Sequence, residues 1–322
     1  MNLVNLNIMN DLIKKLQTNI DNDLNNIYSS GPISLVETFN YVMSGKGKRI
    51  RPILTLLTSK SLFNDYKKSY NAALAVEILH NFTLVHDDIM DNDSLRHGKE
   101  TVHEKWDIPT AILVGDAMLA KSINIISQAN YNNHLITSFN SALLAVCEGQ
   151  ALDKEFEIKK NVTEEDYFKM IEKKTSYLIA MPIELGALAY NYPLKDVKKL
   201  FNFGICIGKA FQIQDDFLEI MSNPKIMKKS LDSDILLGKK TYPIILCNKL
   251  NKNFIKDLID NNNNTKVIIT EIRKFILDNK LDIEIKKTIE NLYKEANKYI
   301  QKINFKSNDL LNFVNKIKTR NK

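Results

Sequence analysis

The chain has little of what interrupts helices, with only 10 glycines and 7 prolines in 322 residues. An all-β or disordered chain would need more such punctuation, and 44% hydrophobic residues supply a sizeable core instead. Cysteine is scarce. Cys147, Cys206 and Cys247 stand singly in apolar stretches with no C-x-x-C pair, which argues against a disulfide framework or a zinc site and implies a reducing compartment. No run of 18 apolar residues occurs, and "MNLVNLNIMNDLIKKLQTNI" has apolar residues at helical spacing where a signal peptide would have a continuous apolar core. No integral membrane segment is expected, and the chain reads as soluble and cytoplasmic. Alternating strand patterns between Gly or Asn-Gly turns, a linker and an internal repeat are also missing.

What is present is helical periodicity. Apolar residues recur at three- and four-residue spacing over 6–28, 50–64, 70–91, 109–130, 134–158, 175–190, 195–220, 265–279 and 283–301. The breaks are helix stops such as "SSGP", "NYPL", "SNPK" and "DNNNN". The expected fold is all-α, a single domain over 1–322 built as a bundle of about a dozen helices around a central cavity. The formal charge of +7 tracks Lys and Asn that occur together, as in "FVNKIKTRNK", which reads as compositional bias. Nucleic acid is not an expected partner, since no aromatic-basic platform accompanies that charge.

Two apolar helices run into carboxylates. Asp87, Asp88 and Asp91 form D-D-x-x-D, and at about 3.6 residues per turn the three converge on one helix end. Asp215, Asp216 and Glu219 repeat the spacing after a second long apolar helix. One such cluster is usually a solvated helix end, but two on central helices call for cations. Hard oxygen ligands suit Mg²⁺, which bridges carboxylates to phosphate oxygens.

Basic residues answer the acidic ones. "SGKGKRIRP" carries Lys46, Lys48, Arg49 and Arg51 at a helix start, where the dipole and free N–H groups favour phosphate, although the P-loop pattern fails at Val42 and Arg49. Arg96 follows the first cluster, Lys174 lies in "EKKTSYL", and Lys229 and Lys239 follow the second cluster. Together they describe a cavity for more than one diphosphate.

In order and spacing, "GKRIRP", "AVEILH", "DDIMD", "RHG", "VGDAML", "GQALD", "KKTSYL", "FQIQDD" and "DSDILLGKKTYP" resemble the trans-isoprenyl diphosphate synthases, or polyprenyl synthetases, of the short-chain archaeal type. The resemblance implies the isoprenoid synthase fold and head-to-tail condensation of isopentenyl diphosphate with C5, C10 and C15 allylic diphosphates. Asp87, Asp88, Asp91, Asp215, Asp216 and Glu219 would hold Mg²⁺, three ions per site with substrate bound, Mn²⁺ substituting. Arg96, Lys174, Lys239 and Lys229 would grip the allylic diphosphate, and Lys48, Arg51, His80 and His97 the isopentenyl diphosphate. Gln150 and Thr175 would support the cation, and Gln212 would orient the second cluster.

Three positions depart from the family pattern. His97 replaces a second Arg, Glu219 the last Asp of the second cluster, and Lys228 a Gly before Lys229. Phe82 and Thr83, about one turn below the metal site, would set product length. One bulky and one small residue there point to geranylgeranyl diphosphate, with farnesyl diphosphate as intermediate or co-product. A homodimer through the apolar helices of 109–145 is expected. A terpene cyclase would have no use for "GKRIRP", and a non-catalytic subunit would have lost an acidic cluster.

Overall fold

The computed structural model describes residues 3–45, 47–128, 133–221, 239–262 and 264–320, with side chains from residue 9 onward. Its helices are α1 (Leu3–Asn25), α2 (Ile33–Met43), α3 (Ile50–Phe63), α4 (Tyr70–Asp91), α5 (Val102–Lys105), α6 (Ile108–Gln128), α7 (Asn133–Ile158) and α8 (Glu164–Ile171). They continue with α9 (Tyr177–Leu188), α10 (Leu194–Met221), α11 (Tyr242–Leu250), α12 (Phe254–Asn261), α13 (Thr265–Asp278), α14 (Leu281–Ile300) and α15 (Asp309–Lys318). Each periodic segment of the sequence is one of the longer helices. Periodicity does not reveal the short ones, because four to eleven residues hold too few repeats to stand out.

The fold is all-α as expected, and among the described residues one small hairpin accompanies the helices. β1 (Leu95–Arg96) and β2 (Lys99–Glu100) pair antiparallel, Leu95 opposite Glu100 and Arg96 opposite Lys99. The two residues between them, His97 at φ 53° and Gly98 at φ 79°, are both left-handed, as a type I′ hairpin turn requires. Strands of two residues are too short to show alternation. The turn places a histidine where left-handed backbone is tolerated better than by most side chains.

The chain gathers into two compact units, each made of three segments. One contains Met1–Asn140, Met181–Lys198 and Ile303–Phe313. Here α4 lies along α6 and against α3. It is central because nearly every side chain from Ala72 to Leu79 is apolar and buried, the exception being Glu77. Glu77 is 3% exposed and accepts a 2.8 Å bond from Arg49 Nη1. Arg49 also donates to Asp21 and to the carbonyls of Met43 and Gly45, which locks the loop before α3. α6 is the one helix among the described residues long and apolar enough to cross a membrane, but it carries Asp116 and Lys121 and packs on α4.

The second unit contains Ser141–Ala180, Lys199–Lys302 and Val314–Lys322. α8 opens with a capping box in which Thr163 and Asp166 satisfy each other's backbone N–H groups. It runs directly into a π-helical turn, Glu172–Ser176, which widens the backbone under Lys174 and Thr175. Two glycines let neighbours approach that turn. A Cβ at Gly149 of α7 would lie 2.2 Å from the Lys174 N, and one at Gly208 of α10 would lie 2.4 Å from the Ser176 Cα. Backbone sits where a side chain would, so α10 is held against the turn along its acidic half.

Candidate active site

In the first unit, α4 delivers Asp87, Asp88 and Asp91 at its C-terminal end. A left-handed Asn92 then stops the helix, its N–H closing on Asp88 O and Ile89 O. Carboxylates at a helix C-terminus face the negative end of the dipole and repel one another, so this arrangement needs positive charge from outside. Part of it is Arg96. The hairpin brings its guanidinium onto Asp88, with a second contact to Asp93 at 3.3 Å. Asp88 and Asp91 are each 4% exposed, while Asp87 is more open. His86, the imidazole beside Asp87, turns to the other face, with its Nε2 3.4 Å from Ile112 O and its ring against Phe82.

One turn and more below, His80 lies 2.9 Å from Arg51 Nη1 through Nε2. A guanidinium can only donate, so Nε2 accepts and the ring proton resides on Nδ1. Burial first, then the charges of Arg51, Arg96, His97 and Arg49, push the His80 pKa well below 6.5. His80 is therefore neutral, and its Nδ1–H is buried with no acceptor among the described residues. A donor aimed at nothing, ringed by guanidinium groups, suits an anion. Lys48 is exposed nearby in sequence and His97 is exposed on the hairpin turn. Arg49, counted with the phosphate-binding segment, is instead 5% exposed and spent on the loop it locks. Lys46 lies outside the described residues.

In the second unit, a chain of hydrogen bonds links the π turn to α10. Thr175 Oγ1 donates to Gln212 Oε1 at 2.7 Å, and Gln212 Nε2 donates to Asp216 Oδ1 at 2.8 Å. Asp216 Oδ2 accepts from Tyr167 OH at 2.7 Å and from the Tyr242 N–H at 3.0 Å. Burial outweighs these three bonds and pushes the Asp216 pKa up to about 6. Both Asp216 oxygens are thus engaged by the protein, and each keeps a lone pair that a cation could still take. Asp215 and Glu219 are more exposed. Asp215 is met by Arg320 at 2.5 Å.

Lys174 is held by Asp153 of α7 at 2.5 Å, which fixes a mobile side chain beside Thr175. Gln150, one turn before Asp153, has its Nε2 buried with no acceptor among the described residues. Lys239 is half-buried just ahead of α11, and Lys229 and Lys228 lie outside the described residues. Asp153, Tyr167 and Arg320 were not foreseen as site residues. Asp153 had a signal, the aspartate of "GQALD", whereas nothing in the sequence connects Tyr167 or Arg320 to the second cluster.

The donor set is suited to a hard divalent cation, with carboxylate oxygens only and the one adjacent imidazole turned away. No group of three His, Cys, Asp or Glu among the described residues forms a ready-made cage.

The sequence matches the polyprenyl synthetase family model over residues 33–310. It is 42% identical over 218 residues to a geranylgeranyl pyrophosphate synthase of Geoglobus acetivorans, 66% of this chain and 68% of that one. With a geranylgeranyl diphosphate synthase of Sulfolobus acidocaldarius the identity is 33% over 316 residues, 94% of this chain and 93% of that one. The structure superposes on crystalline geranylgeranyl pyrophosphate synthetase from Pyrococcus horikoshii with TM-score 0.87 and 30% identity, covering 98% and 99% of the two chains.

Proposed function

Because this chain belongs to the polyprenyl synthetase family, we propose that it condenses isopentenyl diphosphate with C5, C10 and C15 allylic diphosphates and releases geranylgeranyl diphosphate. One observation carries the reading most: two apolar helices each end in an oxygen-only acidic cluster, with a guanidinium held against one of its carboxylates. Relatives of this family are divalent-metal-dependent prenyl synthases. Mg²⁺, three ions per site or Mn²⁺ in its place, would neutralise the departing diphosphate when bound. Asp87, Asp88, Asp91, Asp215, Asp216 and Glu219 would hold the ions, Asp88 being steadied by Arg96 and Asp216 by Gln212, Tyr167 and the Tyr242 N–H.

The residues divide the remaining work. Arg96, Lys174, Lys239 and Lys229 would bind the allylic diphosphate and favour heterolysis of its C–O bond. Lys48, Arg51, His97 and the His80 Nδ1–H would bind the isopentenyl diphosphate, whose double bond attacks the allylic cation. The Thr175 and Gln150 dipoles would support that cation, with Gln212 orienting Thr175 and Asp216. The proton lost afterwards goes to the released pyrophosphate, so no side-chain base is required.

Product length would be set by α4. Phe82, 8% exposed, lies about one turn below Asp87 with Thr83 beside it, whose hydroxyl is folded back onto His80 O. The expected outcome for Phe82→Ala, incubated with isopentenyl diphosphate and each allylic diphosphate, is products longer than C20 with turnover retained. Unchanged length with about 3 to 5 kcal/mol of lost stability would make Phe82 core filling only.

We further read the chain as one synthase domain over 1–322, since the family match runs unbroken from 33 to 310. It would act in the cytoplasm as a homodimer. Ile108, Ile112 and Leu113 of α6 are 44–63% exposed, more apolar surface than a solitary subunit ordinarily leaves to water. Light scattering at micromolar concentration should give twice the chain mass.

A further inference from the structure

The segment that follows α15 is fastened to the second acidic cluster at several points. Gln214 Nε2 donates to the carbonyls of Lys318 and Arg320, both at 3.1 Å. The Arg320 guanidinium lies 3.5 Å above the centre of the Phe211 ring. Its Nη2 donates to Phe211 O at 3.2 Å and to Asp215 Oδ1 at 2.5 Å. Lys318 is tied separately, through Nζ to Glu290 at 2.9 Å. This is a built contact and not a side chain lying on a surface.

Exposure is uneven across the pair. The Arg320 side chain is 12% exposed and that of Asp215 is 42%. A guanidinium that far out of water keeps its charge, so the ring face, the carbonyl and the carboxylate must replace its hydration. Asp215 keeps a water-facing side from which a cation can approach. Two cations cannot both sit close to one carboxylate oxygen without strong mutual repulsion.

We propose that Arg320 is a tethered counter-cation for Asp215 that a divalent metal must displace, so that residues 314–320 set the metal affinity of the second cluster. The inference rests on reading that cluster as a metal-diphosphate site. Before metal arrives, Arg320 relieves the repulsion between Asp215 and Glu219 on the same helical face. Once metal binds, the guanidinium leaves Asp215 while Gln214 keeps its backbone nearby, so the contact re-forms when the ion departs.

The test is Mn²⁺ titration of the full chain with inorganic pyrophosphate present, free Mn²⁺ being read by electron paramagnetic resonance. Arg320→Gln should bind Mn²⁺ about tenfold more tightly, the equivalent of one charge-assisted hydrogen bond no longer broken on loading. Arg320→Lys, which keeps the charge, should stay near the wild type. Gln214→Leu, which removes the bonds to the Lys318 and Arg320 carbonyls but leaves the guanidinium and the carboxylate themselves unchanged, should give a gain of about threefold. Each gain should vanish in an Asp215→Asn background.

Two results would overturn the proposal. Equal Mn²⁺ affinity in wild type, Arg320→Gln and Gln214→Leu, all above Asp215→Asn, would make the contact a structural clamp and leave the metal reading intact. Absence of any Mn²⁺ binding that depends on Asp215 would remove the metal reading, and the inference with it.

Discussion

The ends of α4 and α10 present the same i, i+1, i+4 pattern, yet their middle carboxylates are answered in different ways. Asp88 and Asp216 are the buried members, 4% and 5% exposed. Asp88 receives a guanidinium from a hairpin, while Asp216 receives a phenol, an amide and a backbone N–H. A full charge compensates a buried carboxylate; three dipoles do so only in part, and the Asp216 pKa rises to about 6. One sequence pattern therefore supports two electrostatic environments, decided by neighbours far away in the chain.

The sharpest way to break the comparison is to remove the open carboxylate of each cluster. Asp87→Ala and Asp215→Ala should each lower kcat by about 10²- to 10³-fold, roughly 2.7 to 4 kcal/mol, in an assay of product formation with Mg²⁺. Excess EDTA should abolish turnover in the wild type. Loss in only one variant would mean that the clusters are not equivalent partners in the reaction.

A smaller difference should appear in stability. Arg96→Gln strips Asp88 of its charged partner and should cost about 3 kcal/mol in urea unfolding of the metal-free protein. Tyr167→Phe removes one of three neutral donors from Asp216 and should cost about 1 to 1.5 kcal/mol. Equal losses would contradict the distinction between charge and dipole compensation.

The smallest effects lie in the pH dependence, and they have opposite signs. His80 has a depressed pKa, so its contribution is present above about 6.5 and is lost as pH falls below that value. Asp216 has a raised pKa, so its contribution is present below about 3.8 and is lost as pH rises through about 6. Unfolding midpoints of His80→Gln and Asp216→Asn between pH 4 and 8 should each lack one limb of the wild-type profile. Parallel profiles for wild type and both variants would remove the assigned pKa directions.

Much of the site was legible before any coordinates. Periodicity located the long helices because a buried helix must repeat its apolar residues with its own pitch, whatever it packs against. The spacing of Asp87, Asp88 and Asp91 placed them on one helix end for the same local reason. The hairpin, the π turn and the short helices were not legible. A two-residue strand has no pattern, and the close approach of Gly149 and Gly208 to the π turn joins residues of different helices.

By itself, then, the sequence determined which residues share a helix and which chemistry they bring: oxygen donors, guanidinium groups, a neutralisable imidazole. Those are consequences of residue type and of separations of a few positions. Only the tertiary structure decided that Arg49 meets Glu77, that Tyr167 meets Asp216, and that Arg320 answers Asp215. Each of those outcomes joins residues 28 to 105 positions apart. Burial and partner charge at such separations depend on how helices pack, and no local pattern encodes that.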